Sequence, residues 1–288
     1  MQTGFKEKTY EKYFGGEVAR LTTITFSPDQ CDESYLGFDD AFRLPWFLLR
    51  RWFPHLRRGS RGCSAGLSIR ELDDLTAQMI QRMPPFRFNI FVQYKRPEYL
   101  LRSSAQEWSC WNSPYFRYDT TPHQHDLLLG IERQSRGRAA TVYASPAFWT
   151  SEDMWRNAAA QTVISNSNIA SVDKVSSHGR YSYNGPGNIG KGHSEPINLE
   201  STRFERVIEL GLTQTALPFA QHMKRTAKEI EETLRSSDFG SAILRQVRPL
   251  LLRGEVDGVA IPEDSLVAAL QSIELLSEAI GVSFFAIG

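Results

Sequence analysis

At 288 residues the chain is long enough for one large domain or two ordinary ones, and 41% hydrophobic with 11% aromatic residues is enough for a real core. Its net charge of zero argues neither for nor against a nucleic-acid partner. Its three cysteines, Cys31, Cys63 and Cys110, lie far apart, which excludes a disulfide framework and a zinc-type spacing.

The opening MQTGFKEKTYEKYF has no apolar core of signal-peptide length. The most apolar run, LPWFLLRRWF, is far shorter than a membrane span and carries two arginines. The expectation is a soluble cytoplasmic protein with no membrane partner.

In chain order, residues 5 to 21 read as a helix with Tyr10, Phe14, Val18 and Leu21 at helical spacing, weakened by Gly15-Gly16. LTTITF (21–26) is a short strand candidate, and YLGFDDAF a second. Residues 44 to 85 read as a helical pair. Leu44, Phe47, Leu48, Trp52 and Leu56 share one stripe, and Ser68 with Glu71 forms a capping box for the second helix. The clearest strand spans 86–95: Phe86, Phe88, Ile90, Val92 and Tyr94 alternate with Arg87, Asn89, Phe91, Gln93 and Lys95.

PYFRYD (114–119) predicts another strand. Thr121-Pro122 with Gln124 starts a helix that runs to about Gln134. AATVYASPAF (139–148) predicts a buried strand, and Met154 to about Val163 a helix. Residues 165–198, rich in Ser, Asn and Gly, read mostly as loop, with a hairpin at Arg180–Tyr183. Helices follow over 203–235 and 265–280, and VSFFAIG closes the chain as a strand. The division expected is a core over 1–200 and a mostly helical region over 201–288.

Charge is unevenly spread. Asp32, Glu33, Asp39 and Asp40 cluster without a base, whereas twelve basic residues from Arg43 to Arg102 face only Glu71, Asp73, Asp74 and Glu98. Acids to hold a metal and cations to hold phosphates are what a metal-dependent phosphodiesterase needs. A solvated surface with uneven charge gives the same pattern.

The order helix with Glu17, strand with Asp39, strand with Gln93 and Lys95, helix, strand resembles the αβββαβ core of the PD-(D/E)xK, or restriction-endonuclease-like, nucleases. It is similar to the QxK branch, as in Mrr-type nucleases, through the Asp of GFDDAF and through VQYK. The resemblance covers about residues 1 to 150. It implies an α/β (α+β) fold: a mixed central sheet flanked by helices, with 44–85 inserted between strands whose motif residues are 56 positions apart.

The resemblance also implies Mg²⁺ or Mn²⁺ held by Asp39, Gln93 and Glu17, with Glu11 or Glu33 as alternative acids. Lys95 would contact the scissile phosphate, since side chains two apart on a strand share a face. DNA is the implied substrate, with RNA a weaker alternative. Arg50, Arg51, Arg57, Arg58 and Arg96 are candidate phosphate contacts. A role in anti-phage defence, with partner subunits or as a homo-oligomer, is implied too. From another class comes a nuclease-fold scaffold without activity, binding partners through its helical C-terminal part. The bland alternative for Gln93 and Lys95 is a strand end whose polar face meets water. His123 and His125, two apart at a helix start, do not share a face and make a poor zinc pair.

Overall fold

The computed structural model describes residues 2–22, 25–26, 37–38, 67–68, 84–251, 255–256, 259–260 and 266–288. The protein is mixed α/β, and among the described residues no helix is long and apolar enough to cross a membrane. Two compact units are present. The first comprises Met1–Leu21, Phe91–Glu132 and Ala140–Leu210; the second comprises Thr22–Ile90, Arg133–Ala139 and Gly211–Gly288.

The first unit opens with α1 (Glu7–Leu21), whose Tyr10, Phe14 and Val18 are fully buried at intervals of one helical turn. Gly15 and Gly16 do not interrupt it, because tertiary packing outweighs intrinsic propensity. The rings of Tyr10 and Phe14 sit 5.6 and 5.4 Å from Tyr94, at the end of the strand Phe88–Tyr94.

That strand is the fourth in the described chain, after the short β1 (Thr25–Phe26), β2 (Gly37–Phe38) and β3 (Leu67–Ser68), and is β4 below. It passes from the second unit into the first, and all seven of its residues are buried. Alternation in the sequence suggests one wet face. The odd positions Asn89 and Gln93 are instead only 2% and 4% exposed, so both faces are covered.

Further on come β5 (Glu98–Leu100), the short α2 (Trp108–Trp111), β6 (Tyr115–Asp119), α3 (Pro122–Gln134), β7 (Ala139–Pro146) and α4 (Ser151–Ala160). Thr150 caps α4 by accepting a hydrogen bond from the Asp153 N–H at 3.0 Å. The backbone bonds Asn89 N–H to Arg138 O and Lys95 N–H to Ala144 O step by six residues in the same direction on both strands, so β4 and β7 are parallel. That register sets Gln93 beside Tyr143 and Lys95 beside Ser145. α3 makes the crossover that a parallel pair requires.

The stretch 165–198 is not loop. It builds β8 (Ser167–Ser171), β9 (Arg180–Tyr183) and β10 (Ile189–His193), and β11 (Pro196–Glu200) follows. β8 pairs antiparallel with β7, and the others join an antiparallel sheet of order β11-β10-β9-β6-β5. The glycines that suggest a loop are there for close packing. A Cβ at Gly190 would land on the Tyr181 ring and one at Gly192 on the His178 ring. One face of this sheet is aromatic: Tyr99 stacks on Phe116 at 4.5 Å, and Phe116 on Tyr183 at 5.3 Å. Arg117, Arg180 and Glu98 alternate onto the other face.

Among its described residues the second unit is mainly helical. After α5 (Phe204–Leu212), which begins in the first unit, come α6 (Phe219–Arg235), α7 (Asp238–Leu251) and α8 (Leu266–Ile280), and α8 packs on α6 and α7. The short hairpin β12 (Glu255–Val256) and β13 (Val259–Ala260) precedes α8. The fully buried β14 (Ser283–Ile287) pairs antiparallel with β1. β4 stands within a sheet of order β1-β14-β4-β7-β8, which is therefore mixed.

Candidate functional site

The unusual chemistry of the first unit gathers around Tyr143 on β7. Lys95, just past the end of β4, holds its ammonium 5.2 Å from the centre of the Tyr143 ring. The Lys95 backbone is fixed on both sides: its N–H donates to Ala144 O at 2.9 Å, and its carbonyl accepts from Ser145 Oγ at 3.1 Å. Among the described residues no carboxylate lies within ion-pair distance of Nζ. Burial lowers its pKa to about 8, against the opposing pull of Glu7 and Asp119. This lysine therefore changes charge within reach of neutral pH.

Gln93, two residues earlier on the same face, is 4% exposed, and its Oε1 is buried with no hydrogen-bond partner among the described residues. Few buried acceptors in native proteins are left so. His125 Nδ1 lies 2.8 Å from the Tyr143 hydroxyl, while His125 Nε2 is buried and among the described residues has no partner. The Tyr118 hydroxyl is a further unpartnered buried group, its ring 5.9 Å from that of Tyr143.

Glu17 is buried, and its two carboxylate oxygens accept the Val163 and Ile164 N–H groups at 2.7 and 2.8 Å. It ties a turn to α1, and both oxygens are engaged. Glu7, at the start of α1, is the acid of that helix that acts on Lys95. Partial burial raises its pKa, while Lys95 and the Arg96 backbone N–H pull it back. Arg96 itself donates from Nε to Thr3 Oγ1 at 2.8 Å, fastening the N-terminal segment.

Asp39, Arg50, Arg51, Arg57 and Arg58 lie outside the described residues, as do Glu33 and all of the helical pair expected at 44–85 except Leu67–Ser68, which forms β3, and residues 84–85. The Asp39–Lys95 meeting that the resemblance requires therefore rests on the sequence alone.

Sequence reasoning passes over a second polar cluster, on the antiparallel sheet. Glu107 accepts from the Tyr115 hydroxyl at 2.6 Å and pairs with Arg117 at 3.0 Å and Arg180 at 3.1 Å. Burial would raise its pKa, yet Tyr115, Arg180 and Arg117 hold it below the ordinary value. Nearby, Trp111 Nε1–H donates to Ser182 Oγ at 2.8 Å, and Ser182 Oγ lies 2.6 Å from His193 Nε2. Each charge here has its counter-charge, and Ser182 is fully buried, which marks a structural network. Arg117 and Ser182 alternate with the aromatic residues of β6 and β9, and that alternation is the signal that could have placed them.

Among the described residues no three His, Cys, Asp or Glu side chains lie close enough to form a metal cluster. The donors present near Lys95 are an unmatched amide oxygen, Gln93 Oε1, and the Glu7 carboxylate. Oxygen donors of this kind fit Mg²⁺, which takes one or two carboxylates and keeps several waters. No family model, no curated protein and no solved structure matches the chain.

Proposed function

We propose that the protein is a Mg²⁺- or Mn²⁺-dependent nuclease of the PD-(D/E)xK type that hydrolyses DNA phosphodiester bonds at Gln93 and Lys95. The observation that carries this reading is the pairing, on one side at the end of β4, of a buried amide oxygen without a partner and an ammonium without an ion-pair partner among the described residues. The parallel β4–α3–β7 arrangement around them supports it.

The chain's own residues divide the work. Lys95 is held rigidly by its backbone bonds to β7 and presents its charge to a phosphate oxygen. Gln93 Oε1 and Glu7, together with Asp39, would hold the metal. The metal's contribution when bound is to shield the scissile phosphate and to acidify the attacking water. Lys95 is half-buried beside the Tyr143 ring, and that partial removal from water strengthens its pull on an anion.

The test is cleavage of double- and single-stranded DNA, with RNA alongside, in Mg²⁺ or Mn²⁺. Wild type should cut, and Lys95→Met and Asp39→Ala should not. Absence of cleavage of every substrate by the folded wild-type protein would remove the reading.

A further inference from the structure

We infer that His125 is an anion-binding residue of the Lys95 site, its Nε2–H donating to a phosphate oxygen that Lys95 also contacts. The inference rests on the nuclease reading for the identity of the phosphate, but on the geometry alone for the presence of an anion site.

The argument begins with the α3 start. The His125 N–H donates to Thr121 O at 2.9 Å, so His125 sits in the first turn. There its ring runs nearly parallel to that of Tyr143, 14° between planes and 6.0 Å between centres. It is 6% exposed.

The tautomer follows from Tyr143. Burial, reinforced by Asp126, raises the Tyr143 pKa, so the phenol keeps its proton. The recorded partner of that hydroxyl is His125 Nδ1 at 2.8 Å. The arrangement that uses the hydroxyl proton makes Nδ1 the acceptor and puts the ring proton on Nε2, and it is the tautomer this inference takes. Burial also lowers the His125 pKa, with Asp126 opposing and Lys95 adding to the effect, so the ring is neutral. Nε2–H is thus a fixed donor, enclosed, with nothing to receive it.

Beside Tyr143 in the β4–β7 register stands Gln93 with the opposite deficit, a buried acceptor without a donor. Both groups are more than nine-tenths buried, and the two are not bonded to each other. A buried donor or acceptor left unmatched costs about 1–3 kcal/mol. A donor at the Tyr143 hydroxyl end, a cation beside the Tyr143 ring and an acceptor next to it in the register match a ligand that brings an anionic oxygen together with a hard cation. A metal-bound phosphate has that composition. The competing occupant is a buried water bridging Nε2–H and Gln93 Oε1.

The experiment uses the full chain labelled with ¹⁵N-histidine, with the His125 Nε2–H resonance assigned by its loss in His125→Gln. Inorganic phosphate is the probe, with Mg²⁺ present. Phosphate should move that resonance, and Lys95→Met should weaken the response about tenfold or more. DNA cleavage, measured in parallel, should fall on the order of 10²-fold in His125→Ala, the usual consequence of losing one preorganised donor. A resonance that phosphate leaves in place overturns the inference whatever the cleavage result, since it means water or nothing occupies the donor. A resonance that moves in a protein that cuts no nucleic acid upholds the anion site and removes the nuclease reading instead.

Discussion

The two ends of β4 handle buried polarity in opposite ways. At the start, in the second unit, Asn89 is enclosed and matched. Its Oδ1 accepts from His222 Nε2–H at 2.7 Å, and its Nδ2 donates to Thr226 Oγ1 at 2.9 Å. Thr226 in turn donates to the His222 carbonyl. His222 Nδ1 is the one unmatched atom of the set. At the far end, in the first unit, Gln93 Oε1 and His125 Nε2 are unmatched and Lys95 has no ion-pair partner among the described residues. The same strand face therefore carries a locking network at one end and unmet demand at the other. Matched groups hold a fold together; unmatched ones of complementary kind beside a charge mark where a ligand belongs.

The largest expected effect breaks the open end. Lys95→Met should reduce DNA cleavage on the order of 10²-fold or more while leaving the folded protein intact, because it removes a charge that burial disfavours. Steady-state cleavage beside thermal unfolding measures both. Equal cleavage would move the chemistry away from β4.

Next in size is Glu17→Ala. Two backbone N–H groups lose a charged acceptor, each bond being worth about 1.5–3 kcal/mol, so urea unfolding should show a loss of at least about 2 kcal/mol. The folded fraction should cut normally. A cleavage defect with no loss of stability would return Glu17 to the list of metal ligands.

Smaller again is a pair with opposite signs. Asn89→Met leaves His222 Nε2–H without its acceptor and should lower stability by about 1–3 kcal/mol with cleavage unchanged. Gln93→Met removes an unmatched acceptor, so stability should hold or rise while cleavage falls. Urea midpoints at constant m separate the two. Equal destabilisation by both would erase the difference between the ends.

The sequence made some of this legible and hid the rest for identifiable reasons. β4, α3, β7 and α8 were readable because hydrophobic period, an N-cap with Pro122 and length all agreed. That Gln93 and Lys95 share a face followed from strand geometry. The burial of that face did not, since coverage by other elements leaves no local trace. Residues 167–200 misled because Gly190 and Gly192 look like turn residues, whereas they make room for Tyr181 and His178. The surroundings of Glu17 are hidden for a similar reason: Glu7, Glu11 and Glu17 are alike in sequence, and the N–H groups that Glu17 accepts from lie 146 and 147 residues away. In sequence His125 stands out only as half of a poor zinc pair with His123. Its actual partner, Tyr143, is 18 residues on, across the crossover.

The matched end makes one further prediction, the smallest per step and the most readily measured. Burial first, then the charges of Arg138 and Arg225, push the His222 pKa down to about 3. In the unfolded chain a histidine titrates near 6.5. Between those two values the unfolded state binds a proton that the native state refuses, so stability is full above about pH 6.5 and declines as pH falls toward 3. The slope from this group is about 1.4 kcal/mol for each pH unit. Gln in place of His222 can still donate to Asn89 Oδ1 but does not titrate, so His222→Gln should flatten the decline over pH 6.5 to 4. Urea unfolding of both proteins at half-unit steps reads the difference directly. Parallel curves would mean that His222 accepts its proton in the native state, which would require the Asn89 end of β4 to open.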